Sequence, residues 1–214
     1  MSRLSRIVYV TQSEFKRREN EIFVEKCELD GRPVREQFVF DLRSVPIKEV
    51  LEVDIAEMVT QEAIQAYGEV KEPCIVEHAG LIFSGHTRYP GGLTKPMWNA
   101  LGDRFLEETG SRGRPARAQA VVAYCDGQKV RTFVGERVGA VSDSPRGTRE
   151  FYWDTIFIPE TDVDAARGKT YAEIVDDPNL GLEFKVLRVS QSTLAMLKFL
   201  EYRAHNPPSL WPNM

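Results

Sequence analysis

Apolar and polar residues form alternating blocks along the chain, and these blocks predict strands and helices in turn. The run IVYV, within Arg6 to Val10, is rich in β-branched and aromatic residues, which favours a buried strand. The polar segment TQSEFKRREN follows and is typical of a loop that opens a helix, with Thr11 or Ser13 as its cap. A second strand is expected within Val34 to Leu42 (VREQFVFDL).

The middle of the chain predicts helix, strand and helix in succession. Between Asp54 and Tyr67 the apolar residues recur at helical spacing, which marks the clearest amphipathic helix of the first half. The run CIV after Pro73 predicts a buried strand within CIVEHAGLIF. The loop SGHTRYPGG leads into a helix expected around Lys95 to Glu108, and GSRGRP then forms a turn.

The third quarter of the chain predicts consecutive strands. We expect strands at Ala118 to Tyr124, Val130 to Val134 and Gly139 to Val141, with a hairpin turn at Asp126-Gly127 between the first two. The aromatic segment from Phe151 to Phe157 is also β-prone.

The last quarter is polar and irregular over residues 160–183, with one short helix, before a final helix that Ser190 caps. The prolines of the tail HNPPSLWPNM predict a non-helical end. Strands and helices alternate in the first half and hairpins dominate later, so the sequence predicts an α/β fold in which helices flank a mixed β-sheet.

Composition narrows the class of protein. The 214 residues are 42% apolar and 28% charged, which predicts one globular domain over residues 1–214. The net charge of −4 provides no general basic field, so we expect no nucleic acid or anionic membrane as partner. A polyanionic substrate would need locally placed cations. No run approaches the ~18 apolar residues of a membrane span.

The cysteines Cys27, Cys74 and Cys125 are odd in number and form no CxxC motif, which argues against a disulfide framework or a zinc site. Buried free thiols in a reducing compartment are expected instead. The N-terminal MSRLSRIVYV has no apolar stretch of signal-peptide length, so we expect a cytoplasmic location.

Five local patterns follow one another in a fixed order: TQSEFK, then CIVEHAGL with YPGGLTK, then SPRGTREFYWDTIFIP, KTYAEI and VSQSTLAMLKFLEY. Their order and spacing resemble those of the inosine triphosphate pyrophosphatase family, which cleaves abnormal purine nucleoside triphosphates to monophosphate and pyrophosphate. The resemblance covers about residues 6 to 203. It implies an elongated mixed sheet with two lobes and a central cleft, a nucleotide substrate and a homodimer.

The resemblance implies a phosphate site at two lysines. The family pattern Thr-Gly-Asn-x-x-Lys is matched by Thr11 and Lys16, with Gln12 and Ser13 in place of glycine and asparagine. Loop amides at a helix N-terminus beside a lysine suit a triphosphate. The alternative is that Lys16 belongs to a solvated KRREN face. Lys95, after YPGG, stands where the family has its phosphate-binding lysine.

The resemblance also implies a Mg²⁺ cofactor. Glu49 matches the metal-binding glutamate of the family, with Glu52 as the alternative, and both are also compatible with a surface carboxylate. The central Glu-Asp signature of the family is Glu77-His78 in this chain. Glu77 is expected to hold the metal, and the candidate catalytic residues are Glu77, His78 and Lys16.

His78 replaces the family aspartate that positions the metal and activates the attacking water. A neutral imidazole is a suitable general base near neutral pH, with an ordinary pKa of ~6.5. It is a poor ligand for the hard Mg²⁺ ion. The alternative is a strand-end histidine in an inactive site.

The segment FYWDTIFIP resembles the family's base-binding motif, in which an aromatic side chain stacks near the nucleobase and an aspartate recognises it. Trp153 and Asp154 take those places, whereas Tyr152 replaces a glycine. Stacking and a carboxylate acceptor suit a purine edge with N–H donors. The alternative, an aromatic core strand, accounts for Phe151 and Phe157 but leaves Asp154 unexplained.

The remaining substrate-binding candidates precede and open the last helix. Lys185 matches a family lysine and Ser190 matches the serine of Ser-His-Arg, but Gln191 and Ser192 replace the histidine and arginine that read a 6-keto purine. A glutamine amide both donates and accepts, so we expect a different reading of the base.

The chain is therefore expected to be a nucleotide-binding phosphoanhydride hydrolase with altered base specificity. The alternative is a catalytically inactive nucleotide-binding or regulatory protein of the same fold. An acyl hydrolase is not supported, because the chain has no G-x-S-x-G elbow and its histidines have no partnered nucleophile.

Overall fold

The structure, a computed structural model, describes residues 4–148 and 152–207. The strands in these ranges are β1 Ser5–Val10, β2 Glu28–Leu29, β3 Arg32–Pro33, β4 Phe38–Arg43, β5 Cys74–Phe83, β6 Pro115–Cys125, β7 Val130–Val141 and β8 Phe157–Pro159. The helices are α1 Glu14–Lys26, α2 Ile55–Val70, α3 Thr94–Leu101, α4 Phe105–Glu108, α5 Tyr171–Asp176, α6 Gly181–Phe184 and α7 Gln191–His205. A π-helical turn at Lys185–Val189 leads into α7.

Six strands form one mixed sheet in the order β4-β1-β5-β6-β7-β8. β1 is parallel to β4 and β5, and the remaining neighbours are antiparallel. Parallel neighbours need crossover connections, which α1 and α2 provide, whereas a tight hairpin joins β6 to β7. The predicted α/β fold with helices flanking a mixed sheet is confirmed.

Side chains of the central strands alternate between two helical layers. Tyr9 packs with Phe199 of α7 in one buried cluster, whereas Val8 and Val10 pack with Val59 of α2 in another. A third buried cluster lies under α4 and α5. Because successive strand residues point to opposite faces, this alternation also decides which layer each polar residue of β5 faces.

The predicted cap at Ser190 is confirmed, Ser13 rather than Thr11 caps α1, and Asp54 is a further cap that the sequence analysis did not name. The Ser13 hydroxyl accepts a hydrogen bond from the backbone N–H of Lys16 and caps α1, and the Ser190 hydroxyl accepts one from Thr193 and caps α7. Asp54 caps α2 by accepting from the backbone N–H of Ala56. These caps satisfy backbone donors that the first turn of a helix leaves unpaired.

The prediction of separate strands at Val130 to Val134 and Gly139 to Val141 was wrong, because β7 is continuous. Gly135 does not interrupt the strand but lets α7 approach it: a Cβ atom at Gly135 would lie 2.1 Å from the carbonyl oxygen of Gln191. Glycine in a strand often marks such a close approach of another backbone. The hairpin turn at Asp126-Gly127 is confirmed.

Two other predicted elements are shorter than expected. The helix expected from Lys95 to Glu108 is divided at Gly102, whose φ of +53° ends α3. In the aromatic segment, Tyr152–Thr155 forms a 3₁₀ turn and only Phe157–Pro159 is a strand. Phe151 and residues 208–214 of the predicted non-helical tail lie outside the described residues.

The three cysteines are buried free thiols, as predicted. Cys74 and Cys125 are far apart in sequence but are register partners on β5 and β6. Burial raises the pKa of Cys74 to about 12, so it remains a thiol at neutral pH. In the described ranges, no helix has the length and apolar character needed to cross a membrane.

Candidate functional site

A cleft of about 790 Å³ opens beyond the end of β1, along the middle of β5. β1 stops at Val10 while β5 continues to Phe83, so the space beside β5 is left to side chains from the surrounding helices and loops. The structure brings together most of the predicted site residues here: Thr11, Ser13, Lys16, Glu49, Glu77, His78, Lys95 and Trp153 all line the cleft.

The loop between β1 and α1 forms one wall of the cleft. The buried Thr11 hydroxyl accepts a hydrogen bond of 3.2 Å from the backbone N–H of Ser13, and Ser13 caps the helix. The N-terminus of the 13-residue α1 therefore points its positive dipole end towards the cleft. This arrangement suits an anion, as the sequence predicted.

Lys16 lies in the first turn of α1 and is paired with Glu77. Its ammonium group donates to the backbone carbonyl of Glu77 and lies 3.4 Å from the Glu77 carboxylate. The carboxylate also accepts hydrogen bonds from Tyr9 (2.9 Å) and Ser192 (2.8 Å). Burial acts to raise the pKa of Glu77, but the Lys16 charge and these hydrogen bonds outweigh burial and lower it. Glu77 is therefore an anion held inside the protein.

Lys95 reaches the cleft from α3 and pairs with Glu49. Its ammonium group donates a 2.7 Å hydrogen bond to the Glu49 carboxylate, and this bond lowers the pKa of Glu49. The side chains of Lys95 and Glu49 are 35% and 58% exposed, so the pair is accessible from the cleft. Glu52 does not line the cleft; its carboxylate accepts a hydrogen bond from the backbone N–H of Asp54.

His78 follows Glu77 in β5 and points to the opposite face, towards α2. Its Nδ1 atom lies 3.9 Å from the carboxylate of Glu62. Burial, with the charge of Lys16, lowers the pKa of His78 to about 4. The expectation of a titration near ~6.5 is therefore wrong, and His78 is a neutral imidazole at neutral pH.

Glu62 is a cleft residue that the sequence analysis missed. It is 5% exposed and borders the cleft from α2. Burial raises its pKa, although the Lys16 charge and a hydrogen bond from the backbone of Val50 act in the opposite direction. Its position three residues after Val59 and four after Met58 places a carboxylate on the apolar face of an amphipathic helix. That anomaly is the sequence signal that identifies it.

Four of the residues expected to contact the nucleobase do not line the cleft but lie behind it: Asp154, Lys185, Gln191 and Ser192. Asp154 and Lys185 are each 2% exposed and form an ion pair, and Lys185 is also 3.1 Å from Glu19. Burial raises the pKa of Asp154 to about 7. Its Oδ1 atom is buried and has no hydrogen-bond partner in the described ranges. An unpaired buried acceptor is costly, which suits a site for an N–H donor.

The other base-recognition candidates are also engaged within the protein. Gln191 is 5% exposed and its amide oxygen accepts a 3.0 Å hydrogen bond from Tyr171. Ser192 donates to Glu77. Trp153 is 2% exposed, with its ring packed beside Tyr171 and Phe157. Asp154, Lys185, Gln191 and Ser192 therefore form an inner layer adjoining the open cleft.

Of the two glutamates expected to bind Mg²⁺, Glu49 is suited to the ion and Glu77 is not. Glu77 does not fit, because Tyr9, Ser192 and Lys16 already occupy its oxygens. Glu49 fits an ion that arrives with substrate phosphates, since its carboxylate is exposed and, among the described residues, pairs with Lys95 alone. Over residues 4–148 and 152–207, no three acidic, histidine or cysteine side chains converge on a resident metal site.

Known proteins resemble this chain over most of its length. The Ham1 family matches residues 7–180. A dITP/XTP pyrophosphatase of Methanopyrus kandleri is 33% identical over 156 residues, which are 68% of this chain and 76% of the relative. Inosine triphosphate pyrophosphatase 2 of Trypanosoma cruzi is 31% identical over 175 residues, 80% of this chain and 82% of the relative.

Solved structures agree on the fold. A HAM1 protein from Coxiella burnetii has a TM-score of 0.65 and 19% sequence identity, and the match covers 95% of this chain and 100% of that one. A Ham1 protein from Staphylococcus aureus has a TM-score of 0.58 and 16% identity. Sequence and fold thus agree with the resemblance inferred from the motifs, and the chain belongs to the Ham1 family.

Proposed function

We propose that this protein hydrolyses a nucleoside triphosphate to the monophosphate and pyrophosphate. The observation that carries the proposal is the arrangement of Lys16 and Lys95, which reach one cleft from different helices beside the N-terminus of α1. Cations and a helix N-terminus around one space suit a triphosphate. The names of the relatives, dITP/XTP pyrophosphatase and inosine triphosphate pyrophosphatase, support the same class of substrate.

The cleft residues would bind the phosphates and the metal ion that accompanies them. Lys95 exchanges Glu49 for a phosphate oxygen, which a half-exposed ion pair allows at little cost. Lys16 and the first turn of α1 neutralise further phosphate charge, including charge that develops as pyrophosphate leaves. Glu49 would hold the Mg²⁺ ion that accompanies the triphosphate. When bound, that ion supplies charge neutralisation at the phosphates.

In this proposal the nucleobase lies against the inner layer, which is formed by Asp154, Lys185, Gln191 and Ser192. Asp154 presents its unpaired Oδ1 atom to an N–H donor of the base, and Lys185 holds Asp154 in place. Gln191 and Ser192 stand where the family has its histidine and arginine, and both already make hydrogen bonds within the protein. We therefore infer an altered base specificity, with weak preference for inosine and xanthosine triphosphates.

A panel of nucleoside triphosphates, assayed for pyrophosphate release with and without Mg²⁺, tests the proposal. Mg²⁺-dependent release of one pyrophosphate per monophosphate is the expected result. Release of inorganic phosphate from the γ position instead would exclude attack at the α-phosphorus.

A binding protein without hydrolysis is the second candidate. It is favoured by the engagement of Glu77 with three donors and by the low pKa of His78, because neither group is then a strong base. This candidate requires tight nucleotide binding and no turnover on any member of the panel.

We further infer a homodimer in a reducing, cytoplasmic compartment. The three buried free thiols support the compartment. The dimer follows from the family resemblance alone, and light scattering coupled to gel filtration tests it against the 24.3 kDa mass of one chain.

A further inference from the structure

Glu62 is a buried carboxylate on the otherwise apolar face of α2. Its neighbours on that face are buried apolar residues: Met58, Val59, Ala63 and Ala66. The Glu62 side chain is 7% exposed, and the accessible side faces the cleft that contains Lys16 and Lys95. A carboxylate at such a position costs folding free energy unless it is well paired.

The fold supplies little pairing for Glu62. Its carboxylate accepts a hydrogen bond from the backbone of Val50 and lies 3.9 Å from His78, beyond hydrogen-bond distance. His78 is neutral, so it provides no opposite charge. The cations Lys16 and Lys95 act on Glu62 from farther away. The packing of α2 would therefore accept an uncharged residue at this position.

Three other carboxylates line the cleft. Glu14 is 88% exposed and lies 3.6 Å from Arg17, and the other two are held by closer partners. Glu77 is held by Tyr9, Ser192 and Lys16, and Glu49 by Lys95. In the described part of the chain, the Glu62 oxygens receive no side-chain hydrogen bond. Of the four, Glu62 is thus the buried carboxylate without a side-chain hydrogen bond among the described residues, which leaves an oxygen for a water molecule in the cleft.

We propose that Glu62 is the catalytic base that accepts a proton from the attacking water. The assignment rests on the proposed pyrophosphatase activity. The water oxygen forms a bond to the α-phosphorus, and the bond from that phosphorus to the bridging oxygen breaks. Pyrophosphate leaves with the electron pair, and the proton of the water passes to the Glu62 carboxylate. The base thus comes from α2, whereas the resemblance placed it at His78 on β5.

The test compares Glu62→Gln with Glu62→Asp and with Glu69→Gln, a matched control at an exposed position of the same helix. Pyrophosphate release is measured with the Mg²⁺ complex of the best nucleoside triphosphate, and Tm is measured for each variant. Glu62→Gln should lower kcat by at least about 100-fold, which is typical for loss of a general base. KM should stay within about threefold, because ground-state binding is unchanged.

The stability readout separates catalysis from folding. Because the ionised Glu62 is poorly paired, Glu62→Gln should leave Tm unchanged or raise it. Glu62→Asp keeps a carboxylate but withdraws it by one methylene, so it should retain more activity than Glu62→Gln. Glu69→Gln should match wild type in both measurements.

Three outcomes would overturn the assignment. Wild-type kcat in Glu62→Gln would place the base elsewhere. A lowered Tm or failure of Glu62→Gln to fold would show that the carboxylate supports the fold instead. Absence of turnover in wild type would refute the proposed function and the base together, whereas turnover that is insensitive to Glu62→Gln would refute only the base.

Discussion

Replacing Lys95 with alanine should weaken the binding of a triphosphate while leaving the fold intact. Lys95 and Glu49 are both partly exposed, and such a pair contributes at most about 1 kcal/mol to stability. The free energy of unfolding of Lys95→Ala should therefore stay within about 1 kcal/mol of wild type. This makes Lys95 a cleaner probe of phosphate binding than a lysine inside the protein.

The affinity loss follows from the bond that Lys95 would make. A charge-assisted hydrogen bond to a phosphate contributes about 1.5–3 kcal/mol, and breaking the Glu49 pair offsets up to about 1 kcal/mol of it. At about 1.4 kcal/mol per tenfold change, Kd for a non-hydrolysable triphosphate should rise about 3- to 100-fold. Kd for the free nucleoside should not change, because Lys95 does not lie in the inner layer.

Isothermal titration calorimetry with both ligands gives the two dissociation constants. Lys129→Ala is the matched control, because it removes the same charge from an exposed turn away from the cleft. Lys16→Ala should also weaken triphosphate binding, but with a stability loss of up to about 3 kcal/mol, since Glu77 then lacks its cation. Equal weakening of triphosphate and nucleoside by Lys95→Ala would refute the phosphate assignment.

Three further predictions concern nucleobase preference, the metal requirement and the pH dependence of stability. Turnover of inosine triphosphate should not greatly exceed that of adenosine triphosphate, because Gln191 and Ser192 replace the residues that read a 6-keto purine; strong discrimination would contradict this. His78→Asp should lower the Mg²⁺ concentration needed for half-maximal turnover, since a carboxylate is a better ligand for Mg²⁺ than imidazole; an unchanged requirement would separate His78 from the metal. Stability should fall as pH rises from about 4 to 7, because the Asp154 carboxyl keeps its proton up to about pH 7 when folded and loses it near ~3.9 when unfolded. Asp154→Asn should remove this contribution to the pH dependence of the unfolding free energy, which is at most about 1.4 kcal/mol per pH unit. Unfolding titrations at several pH values measure it, and an unchanged pH dependence in the variant would assign it to other groups.

Local patterns predicted most of the fold because they act over a few residues. The run IVYV, the helical spacing after Asp54 and the hairpin at Asp126-Gly127 each formed the expected element. Helix caps were predictable for the same reason, since a serine hydroxyl reaches only backbone amides two or three residues away. The role of Gly135 was not predictable in this way, because it depends on α7, a distant segment.

Side-chain pairing in the site could not be predicted from sequence. The motif order named Lys16, Lys95 and Glu77 as site residues, but it did not show that Glu77 is held by Tyr9 and Ser192. Nor did it show that Asp154 and Lys185 form a buried pair. Such pairs join segments that are remote in the chain, and their pKa shifts depend on burial and through-space distance.

Glu77 and His78 show most clearly what the sequence determines and what only the tertiary structure decides. The sequence determined that adjacent strand residues point to opposite faces, because strand periodicity is a local property. Only the tertiary structure decided what each face meets: Tyr9 and Ser192 for Glu77, and Glu62 for His78. Glu62 belongs to no motif, and it becomes a candidate base only because the packing of α2 against β5 places its buried carboxylate beside the cleft.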